Sequence, residues 1–291
     1  MFEKLSLKSR LLLISTVPIT VMLILGISRA WEKYSDYQSR VQAETLVGLV
    51  VDLGETAHEL QKERGMSSGF LNSKGSKFAE NLMAQRKTSD AAITRLTDSI
   101  RRIDRTTVGA RYIKLLDAAN EPFSELVKKR EQISRLSLEP GESFRFYSET
   151  ISQLLEIALR TGNQMPSSKL SRLSNAKQAL LFLKERNGQE RALVNGGFSA
   201  GRLTSAQFST FQSLINDQAT YLRLAIGYAT PDQEKLLRAK LAEPVVKEVG
   251  TIEQMVSDKG ANAELAYSSE EWFDKITAKI DLLRTVERSE E

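Results

Sequence analysis

Arg64 and Arg191 are the residues of this chain whose surroundings call for a ligand. Each closes a Glu-Arg pair, and the stretches they open resemble each other: Glu63-Arg64-Gly65-Met66-Ser67-Ser68-Gly69-Phe70 and Glu190-Arg191-Ala192-Leu193-Val194-Asn195-Gly196-Gly197-Phe198. A helical arginine ordinarily pairs with an acid three or four positions away. Around Arg64 those positions hold Leu60, Gln61, Ser67 and Ser68; around Arg191 they hold Asn187, Gly188, Val194 and Asn195. Arg64 also shares its helix side with Ala57, Leu60 and Leu71, and Arg191 with Leu180, Leu183, Val194 and Phe198. A guanidinium on an inward stripe is costly unless paired, and two facing each other repel. A small planar anion removes both penalties, because the guanidinium fork matches two oxygens at once.

The small neighbours Gly65, Ser67, Ser68 and Gly188 leave room for such an anion and could add donors. Arg86 and Arg186 complete the candidate set, but each has an acid at the favourable spacing, Asp90 and Glu190, and reads as structural first. The bland reading stays open beside the anion: arginines snorkelling to solvent, or bridging across helices to Glu55, Glu59 or Glu185.

Composition narrows the remaining chemistry. The chain has no Cys and a single histidine, His58, which leaves no disulfide framework, no thiolate site and no His-rich metal centre. A net charge of +4, with acids and bases interspersed, suits solvated helix faces better than a nucleic-acid partner. No residues read as catalytic, as metal ligands or as a cofactor site, and an enzyme is not expected.

The positioning elements are helical throughout. Apolar residues recur at three and four, with no strand-like alternation. The pattern predicts helices over about 31–72, 77–105, 109–137, 142–161 and 168–195, with Pro140-Gly141 as a turn and Gly196-Gly197 and Gly201 turning the chain after the fifth. Thr204-Ser205-Ala206-Gln207 and Thr230-Pro231-Asp232-Gln233 are capping boxes, and Ser268-Ser269-Glu270-Glu271 opens a last helix to about 288. About eight helices with short connections predict an all-α, elongated up-and-down bundle: two stacked four-helix bundles, in pseudo-repeat halves of about 31–162 and 163–291.

An N-terminal transmembrane helix is expected ahead of them. Leu11–Ser28 carries no charge, near the lower end of the ~17–25 residues a spanning helix needs. Lys4, Lys8 and Arg10 against Glu3 place residues 1–10 in the cytoplasm, and Trp31 and Tyr34 follow at the depth of an aromatic belt. The rival is a cleaved signal peptide processed at Gly26-x-Ser28. With residues 11–30 as anchor, the chain is expected in a bacterial inner membrane, single-pass, with residues 31–291 in the periplasm or outside.

Four ordered segments then carry a family resemblance. Leu60-Gln61-x-Glu63-Arg64-Gly65 and Lys184-Glu185-x-x-Gly188-x-Glu190-Arg191-Ala192 resemble the two signature segments of the nitrate- and nitrite-sensing (NIT) domain. Gln85-Arg86-x-x-x-Asp90 and Glu271-Trp272-Phe273-x-x-x-Thr277-x-x-Ile280-Asp281 also look like that family. The resemblance covers about residues 40–288. It implies an all-helical double bundle that binds nitrate or nitrite, with Arg64 and Arg191 clasping the anion. Members of that family form the extracytoplasmic sensor of chemoreceptors, histidine kinases and other regulators, or sit in front of an RNA-binding antiterminator module. The resemblance is taken to imply the first, a transmembrane receptor's sensor, and by that analogy a homodimer.

The function expected is therefore a membrane-anchored sensor in which the anion draws the two arginines together and shifts the long first helix. Two alternatives remain: a membrane-tethered helical scaffold without ligand, or a sensor of another small anion. No second span or output module follows the sensor in this sequence, which is then expected to be the sensor portion of a longer receptor or a truncated gene product, with any downstream signalling module outside it.

Overall fold

A computed structural model describes residues 7–288, which form helices and their connections with no strand among the described residues. It divides into two units, one up to Glu44 and one from Thr45 onward. The first unit is the leading part of α1 (Leu7–Asn72), with Pro18 inside it. From Pro18 to Val41 its side chains are exposed, Ile24, Ile27 and Trp31 included. Tyr34 packs obliquely against Trp31 and accepts a hydrogen bond from Gln38.

This unit bears on the expected membrane anchor. The side chains at 11–15 and 17 lie outside the described residues, as do residues 1–6 of the expected tail. α1 is helical through the whole charge-free run, Leu11–Ser28, and its side chains from Pro18 to Ser28 are exposed. Among the described residues no helix is long and apolar enough to cross a membrane. The single-pass inner-membrane placement is corrected accordingly, and the membrane is withdrawn as a partner.

In the second unit, the remainder of α1 packs with α2 (Ala79–Arg101), α3 (Ala110–Ala118), α4 (Glu121–Ser134) and α5 (Pro140–Gly162). Leu49, Leu53 and Leu60 of α1 meet Leu96, Leu116, Ile133, Tyr147 and Ile151 in one core. Then α6 (Ser168–Ala200) packs with α7 (Ser205–Tyr228), α8 (Pro231–Leu241), α9 (Pro244–Lys259) and α10 (Ser269–Arg288). Here the core has two parts. Val194, Phe198, Phe211, Val249 and Trp272 form one, and Leu180, Leu183, Ala225, Leu237 and Leu283 the other. In each half a broken helix, α3–α4 or α8–α9, takes the place of a single long one.

The breaks are the work of proline. A continuous helix over 109–137 is expected from periodicity, but the Pro122 ring would clash with the carbonyl of Ala118, the last residue of α3. Pro244 divides α8 from α9 in the same way. Pro140 and Gly141, expected as a turn, instead open α5, where a missing N–H at the first helical position costs nothing. Gly196 and Gly197 stay inside α6, which runs on to Ala200 before Gly201 turns at φ +74°. Gly197 is there for closeness: a Cβ would stand 2.5 Å from Leu203 Cδ2. Both capping boxes form, with Thr204 and Thr230 accepting from the backbone N–H of Gln207 and Gln233. Ser268 likewise accepts from the Glu271 N–H.

Candidate anion site

The two arginines come together where α1 crosses α6. Arg64 is buried, 3 % exposed, and its fork closes on Glu185 of α6: Nη1 donates to Oε1 at 2.6 Å and Nη2 to Oε2 at 3.1 Å. Nη1 also donates to Ser148 Oγ at 2.7 Å, and the guanidinium lies over the Phe144 ring, 4.8 Å from its centroid. Gln61 and Gln189 donate to the two oxygens of the same carboxylate, at 2.8 and 2.7 Å. The cross-helix bridge to Glu185, one of the bland alternatives, is therefore formed.

Arg191 is placed by a copy of the same device. Its Nη1 donates to Thr277 Oγ1 at 2.9 Å, and its guanidinium lies over Phe273, 4.7 Å from the centroid. Trp272 Nε1 fixes the backbone by donating to the Arg191 carbonyl at 3.1 Å. Phe144 and Ser148 on α5, and Phe273 and Thr277 on α10, thus form matching aromatic–hydroxyl clamps one helical turn apart. The internal repeat extends from the Glu-Arg pairs to the clamps that hold them.

The symmetry fails at the counter-ion. Glu185 precedes Arg191 on α6, and the position the same distance ahead of Arg64 on α1 is His58. Among the described residues Arg191 has no carboxylate ion pair. Burial pushes its guanidinium down to about 10; Arg64 adds to the shift, and Asp281 and Glu185 offset it in part. A basic group held below its ordinary value by burial and a neighbouring cation is one that an added anion would stabilise.

Gly188 makes room for a guanidinium: a Cβ there would sit 3.2 Å from Arg64 Nη2, whereas one at Gly65 would meet Arg191 Nη2 at an ordinary contact distance of 3.9 Å. Of the residues singled out in the sequence, Arg64, Arg191, Gly65 and Gly188 meet here. Ser67 Oγ and Ser68 Oγ are both buried without a hydrogen-bond partner among the described residues, and Ser67 lies beside the Tyr147 hydroxyl on the Glu63 side.

The remaining candidate arginines form bridges other than the expected ones. Asp90 pairs with Arg130 at 2.5 Å, not with Arg86, which donates to Ser134 Oγ and the Arg130 carbonyl and approaches Glu63 to 3.9 Å. Arg186 pairs with Asp217 of α7 at 3.0 Å and not with Glu190. Packing decides this: same-helix pairs gain only a few tenths of a kcal/mol, and tertiary partners outbid them. Phe144, Ser148 and Gln189 went unread in the sequence. The repeated Phe-x-x-x-Ser/Thr spacing at 144–148 and 273–277 was a signal able to find the first two.

The glutamates beside the arginines point away from the site. Glu63 accepts two bonds from Arg130 and one from the Tyr147 hydroxyl. Glu190 is fully buried with one bond, from Gln218 at 2.8 Å. Burial, reinforced by Glu253 and opposed by Lys279 and Gln218, raises its carboxyl to about 8. The proton is thus held in the folded state and released on unfolding. Stability contributed by this group is full below the ordinary carboxylate range and is lost as pH rises through about 8. Urea titrations between pH 5 and 8.5 are expected to show stability declining with pH, and Glu190→Gln should flatten the decline. An unchanged slope in that variant would assign the decline to other groups.

The fold and this crossing of two arginine-bearing helices define a class. Residues 55–289 match the nitrate and nitrite sensing (NIT) family, and the chain belongs to it. Among its relatives is the "Nitrate regulatory protein" of Klebsiella oxytoca, 25 % identical over 250 residues. That match covers 84 % of this chain and 61 % of the relative, so the chain spans about three fifths of that protein. The fold is also that of the NasR transcription antiterminator, with a TM-score of 0.79 at 21 % identity over 92 % of this chain and 72 % of that one. These relatives are a regulator and an antiterminator by name, where a transmembrane receptor was the expected context.

Proposed function

We propose that this chain senses a small planar anion, nitrate or nitrite, held between Arg191 and Arg64. The observation that carries the reading is Arg191: a buried guanidinium, clamped by Thr277 and Phe273, with no carboxylate ion pair among the described residues and a second cation alongside. Family membership supplies the class of ligand. The expected mechanism, in which the anion relieves two uncompensated arginines, needs revision, since Arg64 is already neutralised by Glu185. The incoming anion binds Arg191 first and competes with Glu185 for Arg64. Its effect is an exchange of partners across the α1–α6 crossing. The ligand biases the protein only as far as it binds the exchanged state better.

A route outward adjoins the exchange. Lys184, next to Glu185, makes a buried ion pair with Glu287 near the end of α10. Glu287 Oε1 in turn lies 3.8 Å from where a Cβ on Gly54 of α1 would stand. Consecutive α6 residues therefore hold α1 and the close of α10, and a shift at Glu185 reaches both.

The Arg64–Glu185 bridge also suits a second reading, a helical scaffold in which that pair is purely structural. Thermal unfolding of the chain in nitrate, nitrite, formate and chloride at equal ionic strength separates the two. A sensor at ~100 times the dissociation constant gains about 2.7 kcal/mol from its ligand. Nitrate or nitrite is expected to raise the melting temperature above the chloride baseline. Equal melting temperatures in all four salts would leave the scaffold standing, and a rise in formate alone would name a different anion.

A further inference from the structure

A trough of about 860 Å³ lies between α3–α5 on one side and α6–α7 on the other, away from the arginines. Its α6 wall is the stripe Asn175, Gln178, Phe182 and Arg186, whereas the anion site uses Glu185, Gly188 and Arg191. The volume falls within the range of small-molecule sites, which are mostly apolar with a few placed polar groups. The apolar part includes Phe182 and Tyr221, stacked at 5.0 Å with their planes 11° apart, and continues along α7 through Leu224 and Tyr228.

The polar part is unusual. Gln178 is 1 % exposed, and both ends of its amide, Nε2 and Oε1, are buried without a protein partner. Asn175 Oδ1, one turn earlier on the same stripe, is buried and unpartnered as well. A buried carboxamide offers donors and an acceptor side by side, and leaving them unmet is costly. The group that meets them both is another carboxamide-type edge, with an N–H next to a C=O. Charge excludes a second anion. The cation among the lining residues is Arg186, already paired with Asp217, while Glu121 and Glu156 also line the trough.

We propose that this trough is a second ligand site, for a neutral molecule with a flat apolar body and a carboxamide-type edge that pairs with Gln178. The body lies along Phe182, Tyr221 and Leu224, and the edge turns inward to the amide. The proposal stands or falls independently of anion sensing, because no residue of the arginine site lines the trough.

The probe is benzamide, titrated into the ¹⁵N-labelled full chain while the Gln178 side-chain amide is followed by NMR. N,N-dimethylbenzamide, which keeps the ring and carbonyl but has no N–H, is the comparison. Benzamide is expected to shift the Gln178 amide saturably and to bind about tenfold or more tightly than its dimethyl analogue. Gln178→Leu should erase that preference. Absence of a saturable shift, or equal binding of the two probes, would overturn the proposal. So would a preference that persists in Gln178→Leu. Should that variant fail to fold, the two-probe comparison in the wild-type chain decides alone.

Discussion

Arg191→Ala is expected to abolish anion-specific stabilisation while leaving the ligand-free protein about as stable as before. The two halves of this expectation have separate causes. The side chain is buried beside a second cation with no carboxylate ion pair among the described residues, so its removal relieves a charge that Asp281 and Glu185 offset only in part. Against that stand the lost bond to Thr277 and the lost contact with Phe273. These terms oppose each other, and the net change in unfolding free energy should stay within about 1 kcal/mol. The increment from nitrate, about 2.7 kcal/mol at ~100 times the dissociation constant, should vanish. Arg191→Lys separates charge from shape. An ammonium keeps the charge but offers no planar fork, and affinity should fall at least tenfold, about 1.4 kcal/mol. Urea denaturation with and without nitrate reads both quantities. A variant that loses its fold, or one that keeps the full nitrate increment, would show that Arg191 is not the unsatisfied group on which the sensor reading rests.

The second large effect is at Glu185, where ligand-free stability and ligand affinity should move in opposite directions. Glu185→Gln leaves Arg64 buried, 3 % exposed, with amide oxygen and hydroxyl contacts but no countercharge. Removing one partner of a buried ion pair costs about 3–5 kcal/mol. The same change removes the internal competitor for Arg64, so an anion entering the site now restores the missing charge. Nitrate should bind about tenfold or more tightly than to the wild type and recover much of the lost stability. Isothermal titration beside urea denaturation tests this directly. If Glu185→Gln weakens nitrate binding, Glu185 is a support for the site and not its resident anion, and the exchange mechanism fails although anion sensing survives. Should the variant prove too unstable to titrate, Gln189→Leu offers a milder form. It removes one donor to the Glu185 carboxylate and should strengthen binding less.

Much of the architecture follows from local chemistry that a sequence exposes. Period-three-and-four apolar spacing yields helices wherever it is sustained, and the Thr204 and Thr230 boxes form because a hydroxyl three residues ahead of a glutamine satisfies orphan N–H groups at any helix start. The boundaries that misread are the ones set by tertiary neighbours or by proline. Pro122 and Pro244 divide helices whose apolar pattern runs straight through them. Gly197 continues a helix that composition would end, because Leu203 folds back against it.

The site divides in the same way. The sequence by itself determined that Arg64 and Arg191 lie on inward stripes, lack an acid three or four positions away on their own helix and belong to a repeat. These are properties of spacing along one helix, and they identified both guanidiniums. Which charge each arginine meets is a property of the crossing between helices, and no spacing within α1 or α6 encodes it. Only the tertiary structure decided that Arg64 closes on Glu185 while Arg191 has no carboxylate ion pair among the described residues. Contacts between other helices, α2 with α4 and α6 with α7, sent Asp90 to Arg130 and Arg186 to Asp217, because a partner brought to 3.0 Å or less by packing outweighs one offered by helical periodicity. The repeat made two like sockets, and the crossing of α1 and α6 filled one with Glu185 and left Arg191 in the other without a carboxylate ion pair among the described residues.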